Sequence, residues 1–97
     1  MSVTAARPAG VAFAVDRAYR LNPQVALRDE SFGALAYHYG NRRLVFLKSR
    51  TLVTLVSSLG EYASAAAALS AHVPDDQRAA YARALARLAA SEVIDAV

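Results

Sequence analysis

The chain has 97 residues, enough for one small domain with a modest core and too few for a separate catalytic domain with a large cleft. It has no cysteine, which excludes disulfides, thiolate metal sites, a cysteine nucleophile and protein-ligated iron–sulfur clusters. The net charge of +3 is a mild basic excess, compatible with an acidic peptide, with nucleic acid or with an ordinary solvated surface.

The first seventeen residues have no sustained hydrophobic period and contain Pro8 and Gly10. We therefore expect residues 1–17 to be a flexible N-terminal arm and residues 18–97 to be the folded domain. The continuous apolar stretch Val11–Val15 is too short for the core of a signal peptide, and no apolar run is long enough to cross a membrane. The sequence thus predicts a cytoplasmic protein.

Strand-like patterns begin after the arm. Apolar and polar residues alternate within Tyr19–Leu21 and again within Val25–Leu27, on either side of a turn predicted at Asn22-Pro23. The polar run Arg28–Ser31 follows and predicts a loop.

The run GALAYHYGNRRLVFLKS, Gly33–Ser49, predicts a β-hairpin with a two-residue turn at Gly40-Asn41. Pairing across this turn gives the hairpin two apolar faces, of which the second is thinner. One face carries Leu35, Tyr37, Leu44 and Phe46, and the other carries Ala34, Ala36, Val45 and Leu47.

From Ser49 onward the apolar residues recur at the spacing of helices. Three helices are predicted: one capped by Ser49 and closed by Gly60, one over Ser64–Val73 that stops at Pro74, and one that starts at Asp75 or Asp76 and ends near Ala90. The last residues, 91–97, fit either a short strand or an ordered tail. The fold class is therefore α+β, with a three-stranded antiparallel sheet followed by three helices, as in a winged helix-turn-helix.

Residues suited to catalysis or metal binding are sparse. The candidates are two distant histidines, His38 and His72, and two acidic pairs, Asp29-Glu30 in a predicted loop and Asp75-Asp76 at a predicted helix cap. None has the spacing of a metal site or of a nucleophile with its base. We expect no catalytic residue, no metal and no cofactor, and hence a binding protein.

One binding hypothesis is a winged helix-turn-helix that binds DNA. A reading helix in the major groove offers long polar side chains to base edges. The second helix offers only hydroxyls and one histidine, whereas the third offers Gln77, Arg78, Arg83 and Arg87.

The other hypothesis is capture of a peptide by strand addition. An exposed strand edge presents unpaired N–H and C=O groups, and an extended peptide can pair with them. The stretch RLVFLK, Arg43–Lys48, suits such an edge because it is rich in apolar residues, lacks proline and has flanking cations that favour an acidic partner. The alternative is that this strand lies in the middle of the sheet and is paired on both sides.

The stretch Ala18–Ser49, and most specifically FGALAYHYGNRRLVFL, Phe32–Leu47, closely resembles the MftB family of mycofactocin biosynthesis chaperones, which are relatives of the PqqD-like peptide-recognition domains. The resemblance implies a sheet of three strands followed by three helices. It also implies that the leader of a ribosomally made precursor peptide binds beside the third strand, in a groove against the third helix.

By that resemblance the partners are a short acidic precursor peptide, MftA, and a radical S-adenosylmethionine maturase, MftC, to which the cofactors belong. A monomer, or a weak homodimer through the strand edge, is expected. The implied peptide-binding residues are Arg43, Leu44, Val45, Phe46, Leu47 and Lys48 on the strand, and Arg78, Tyr81, Ala82 and Leu85 on the helix.

Overall fold

The computed structural model describes residues 12–97. They form the predicted α+β domain, a three-stranded antiparallel sheet followed by three helices, together with a separate two-stranded sheet. The strands are β1 (Tyr19–Leu21), β2 (Val25–Glu30), β3 (Gly33–His38), β4 (Leu44–Leu47) and β5 (Ile94–Ala96). The α-helices are α1 (Arg50–Ser58), α2 (Ala65–His72) and α3 (Arg78–Ala90).

The larger sheet has β3 at its centre, with β2 and β4 on either side. The register of β3 with β4 is the predicted one, with Tyr37 opposite Leu44. The prediction of a loop at Asp29-Glu30 is wrong, because β2 continues to Glu30 and keeps its pairing with β3 to the end. An edge strand tolerates these charged residues because their side chains reach water.

Between β3 and β4, residues Tyr39–Arg42 form a four-residue loop that is closed by His38 and Arg43. The His38 N–H donates to the Arg43 carbonyl at 2.9 Å, and the Arg42 N–H donates to the His38 carbonyl at 2.8 Å. Arg42 has a φ of 66° and Gly40 has no positive φ, so the predicted two-residue turn is wrong. The predicted register is nevertheless correct, because the expected two-residue loop and the observed four-residue loop have the same centre, between Gly40 and Asn41.

Side-chain caps start the first two helices where the sequence predicts them. Ser49 Oγ accepts from the Leu52 N–H at 2.9 Å, and Ser64 Oγ accepts from the Ala67 N–H at 3.1 Å. Gly60 does not close α1 as expected, because the chain continues into a 3₁₀ turn that contains it. A second 3₁₀ turn, Asp75–Gln77, leads into α3. No helix among residues 12–97 has the length and apolar character needed to span a membrane.

The thinner face of the hairpin is the one that faces the core. Ala34, Ala36 and Leu47 are buried there, together with Leu55 of α1 and Leu85 of α3. Small side chains let helices approach a sheet closely, which explains why the alanine face is covered. The bulkier hairpin face consequently points away from the helices.

The two-stranded sheet pairs β1 with β5 in antiparallel orientation, which resolves the open assignment of residues 91–97 in favour of a strand. Further bonds join the same two ends of the domain: the Asn22 N–H donates to the Val93 carbonyl at 2.9 Å, and the Val97 N–H donates to the Ala18 carbonyl at 3.0 Å.

Residues 12–17 of the predicted arm lie against the domain, and residues 1–11 lie outside the described residues. The Phe13 ring stacks on that of Tyr19 with centroids 4.9 Å apart. The Val15 carbonyl accepts from the Ala66 N–H at 2.8 Å, at the beginning of α2. This part of the chain is therefore attached to α2.

Gly33, at the start of β3, allows β4 to lie at its observed distance. A Cβ added there would be 2.1 Å from the Leu47 carbonyl oxygen, and φ is 146°. We expect Gly33→Ala to lower the free energy of unfolding by at least about 2 kcal/mol, because two backbones must separate and the φ is strained. Urea denaturation measures the change.

Gly60→Ala is the matched control, since its Cβ would lie 3.6 Å from the Cβ of Arg20, an ordinary contact. Its effect should stay below about 1 kcal/mol. Equal losses in the two variants would contradict the steric role of Gly33.

Candidate peptide-binding edge

The larger sheet has two outer strands, and their edges differ in character. The β2 edge carries charges: the Arg28 Nε lies 2.8 Å from Glu30 Oε2, and Arg50 Nη1 lies 3.6 Å from Asp29 Oδ1. The β4 edge consists of the apolar sequence LVFL. Charged edges resist the addition of another strand and apolar ones favour it, so β4 is the edge suited to a partner strand.

The loop fixes which backbone groups of β4 face outward. Hydrogen bonds of an antiparallel pair alternate, so successive residues direct their N–H and C=O groups to opposite sides. The His38 N–H donates to β4 at the residue that precedes this strand. Counting in twos along the register, Val45 and Leu47 direct their groups toward β3. Leu44 and Phe46 therefore direct theirs toward the open edge.

His38 holds this loop in place from inside the domain. The side chain is 4% exposed, and its Nδ1 accepts from the N–H groups of Gly40 at 2.9 Å and Asn41 at 3.1 Å. On the other side of the ring, Nε2 lies 3.2 Å from the side-chain amide nitrogen of Asn22. The histidine is thus a structural residue, as its isolation in the sequence suggests.

Helix α3 approaches the end of β4 through one polar contact. The Ser49 Oγ lies 3.0 Å from the Tyr81 hydroxyl, and this is the same Ser49 that caps α1. Tyr81 and Ala82 are half-buried and can form the wall beside the strand. Leu85 has 0% exposure, so it supports the wall from within the core and offers no surface to a peptide.

The predicted cations divide into two groups. Arg78 is engaged inside the domain: its Nε donates to the Val73 carbonyl at 2.9 Å, and its Nη1 donates to Asp75 Oδ1 at 3.1 Å. It joins the end of α2 to the start of α3. Arg43 and Lys48, at the two ends of β4, are exposed and form no salt bridge with another described residue.

Sequence reasoning missed an aromatic surface beside the edge. The rings of Phe32 and Phe46 lie 5.7 Å apart on the face that points away from the helices, and those of Tyr37 and Tyr39 lie 5.0 Å apart. The alternation in the hairpin placed two of these four residues, Tyr37 and Phe46, on one face, and it did not assign Phe32 or Tyr39. The alanines of the other face were the signal that helices cover that side.

Within residues 12–97, no three His, Cys, Asp or Glu side chains are grouped as a metal site would require. His72, the second histidine, lies with Nε2 3.0 Å from the Tyr62 hydroxyl and 3.2 Å from Ser58 Oγ. It therefore links α2 to the segment that precedes it.

The model of the peptide chaperone MftB family matches residues 18–95, most of the described domain. The chain belongs to this family. A peptide chaperone MftB from Mycolicibacterium smegmatis is 48% identical over 85 residues, which cover 87% of this chain and 83% of the relative. No solved structure has significant similarity to the chain.

Two further proteins named peptide chaperone MftB show the same degree of similarity. The one from Mycobacterium ulcerans is 47% identical over 86% of this chain and 77% of the relative. The one from Mycobacterium tuberculosis is 46% identical over 84% of this chain and 76% of the relative. The family match over residues 18–95 covers both the edge strand and the wall helix of this MftB-family chain.

The alternation along β4 predicts alternating amide hydrogen exchange. In the free MftB-family protein, the amides of Val45 and Leu47 should exchange slowly because they bond to β3, and those of Leu44 and Phe46 should exchange rapidly. Exchange followed by NMR at low protein concentration checks this. Slow exchange at all four amides would mean that the edge is already occupied.

The contact between Ser49 and Tyr81 predicts two unequal stability changes. Ser49→Ala removes both the cap of α1 and the bond to α3, and should cost about 1–2 kcal/mol. Tyr81→Phe removes only the hydroxyl contact and should cost about 0.5–1 kcal/mol. Thermal denaturation of both variants measures the difference, and a larger cost for Tyr81→Phe would contradict the assigned roles.

Proposed function

We propose that the protein holds the leader of the acidic precursor peptide MftA as a strand added to β4, and presents this peptide to the radical S-adenosylmethionine maturase MftC in the cytoplasm. The observation that carries the proposal is the open apolar edge of β4. Family membership supports the peptide-chaperone role, and the resemblance in the sequence supplies the identities of the two partners.

Backbone pairing alone is too weak for this task. Leu44 and Phe46 offer four groups, which at about 1 kcal/mol net each contribute about 4 kcal/mol. Ordering roughly five peptide residues costs about 5–10 kcal/mol, so apolar anchors are needed as well. Each well-buried anchor adds about 2 kcal/mol.

The surroundings of the strand can supply such anchors. On the helix side, the wall of Tyr81 and Ala82 lies next to the end of the strand through the contact with Ser49. The backbone of Leu47 is fixed by its pairing with β3, so the strand does not need to reorganise on binding. Because the edge is preformed, the conformational entropy lost on binding is mainly that of the peptide.

Charge at the two ends of the strand favours an acidic ligand. Arg43 and Lys48 are exposed and are not neutralised by described carboxylates. Rim charges of this kind mainly raise the association rate and select the sign of the partner. On the third helix, Arg83 and Arg87 are exposed as well.

Strand addition leaves the rest of the peptide free. A leader paired with four residues of β4 is fixed over a short segment, and the C-terminal part of the precursor continues into solvent, where the maturase can act on it. The chemistry and its cofactors then belong to the maturase. The same edge can pair with a second copy of the chain, so self-association and peptide binding exclude each other on β4.

Titration with the precursor peptide and with duplex DNA tests the proposal. We expect saturable binding of the peptide and only salt-sensitive, non-specific association with DNA, measured by fluorescence anisotropy at moderate salt. Tight sequence-specific DNA binding would overturn the proposal in favour of the winged helix-turn-helix reading.

Arg43→Ala and Arg20→Ala form a matched pair for the same titration. Arg43 lies beside the edge and Arg20 lies in the two-stranded sheet, and both are exposed. The first variant should weaken peptide binding about two- to fivefold at low salt and the second should not. Equal effects would place the peptide elsewhere.

A further inference from the structure

The uncovered apolar surface of the larger sheet is concentrated on its edge strand. On the face away from the helices, Leu44 is 55% exposed and Phe46 is 54% exposed. Their cross-strand neighbours on β3, Leu35 and Tyr37, are half-buried. On β2 the corresponding position is occupied by Arg28, paired with Glu30, so the face becomes polar there.

The two exposed residues are also the two whose backbone groups face the open edge. A ligand bound at Leu44 and Phe46 must therefore form hydrogen bonds with their backbone N–H and C=O groups and also cover their apolar side chains. A helix satisfies its own backbone groups internally and cannot do the first. An extended peptide strand does both, which selects it as the occupant.

The geometry of pairing fixes which peptide side chains reach this face. Residues directly opposite each other in neighbouring strands place their side chains on the same face, with Cβ atoms about 5 Å apart. The peptide residues opposite Leu44 and Phe46 therefore point away from the helices. The peptide residue between them, opposite Val45, points toward the wall formed by Tyr81 and Ala82.

A third position follows from the same alternation. Lys48 is exposed and follows β4 directly, and we infer that the alternation of the strand, continued by this one residue, directs its side chain to the same face as Phe46. A carboxylate opposite this ammonium is favourable, whereas an apolar residue gains little. Antiparallel addition continues the pattern of the whole sheet and is the more stable arrangement.

We propose that Leu44, Phe46 and Lys48 determine the specificity of the edge by contacting the peptide on the face opposite to α3. This inference rests on the proposed function. The segment that binds has the pattern acidic–x–apolar–x–apolar from its N-terminus to its C-terminus, with the acidic residue opposite Lys48 and the last apolar residue opposite Leu44. The peptide strand is thus recognised on both faces. Two apolar side chains contact the face away from the helices, and the residue between them contacts the wall formed by Tyr81 and Ala82.

Double-mutant cycles with a synthetic MftA precursor peptide test the proposal. The protein variants are Leu44→Thr, Phe46→Thr and Lys48→Gln, and each apolar or acidic peptide residue is replaced singly by serine. We expect Phe46→Thr to weaken binding about tenfold. Each protein variant should couple to one peptide position by about two- to fivefold.

The coupled positions must be spaced by two residues and ordered Lys48, Phe46, Leu44 from the peptide N-terminus. Coupling at adjacent residues, coupling in the reverse order or the absence of coupling overturns the inference. Because a cycle compares variants pairwise, a general loss of protein stability cancels from the coupling.

Val97→Thr is the matched control, since it changes an exposed apolar residue that follows β5, in the separate two-stranded sheet and away from the edge. It should leave the affinity unchanged within about twofold. A wild-type protein that fails to bind the precursor contradicts the proposed function itself. Wild-type binding without the three ordered couplings contradicts only the recognition on the outer face.

Discussion

The hydrogen bond from the His38 N–H to the residue before β4 determines which atoms of the edge strand are free. Had the hairpin slipped by one residue, Val45 and Leu47 would face outward and the apolar faces would exchange sides. The buried imidazole secures the arrangement by accepting two N–H groups of the loop, which would otherwise compete for other partners. The candidate site thus depends on a residue that no peptide would touch.

The register of the hairpin could be predicted from the sequence, and the loop that produces it could not. Gly40 and Asn41 suit a tight turn by residue type, but the chain uses Arg42 in the left-handed region because His38 Nδ1 accepts from both intervening N–H groups. Propensity reflects local preferences, whereas this loop is determined by a side chain that is buried only in the folded domain. Tertiary context therefore overrides the local signal.

The position of the edge could likewise be predicted, and the residues of its wall only in part. Helical spacing placed Tyr81, Ala82 and Leu85 on one side of α3, but spacing does not show how deeply each one lies. Leu85 belongs to the core with Leu47, and Arg78 is held by the end of α2. How deeply a side chain is buried in a small domain depends on how the helices pack against the sheet. The pattern of a single strand or helix does not show that packing.

The pairing of β1 with β5 has a consequence for the order in which the domain folds. The strands β2, β3 and β4 pair with their neighbours in sequence, whereas Tyr19 pairs with Ala96 at the far end of the chain. Contacts between distant residues carry the larger loop-closure cost and form late. During synthesis, all three strands of the larger sheet, including the edge strand β4, therefore emerge from the ribosome before β5 does. The later pairing of β1 with β5 stabilises a domain whose binding strand is already present.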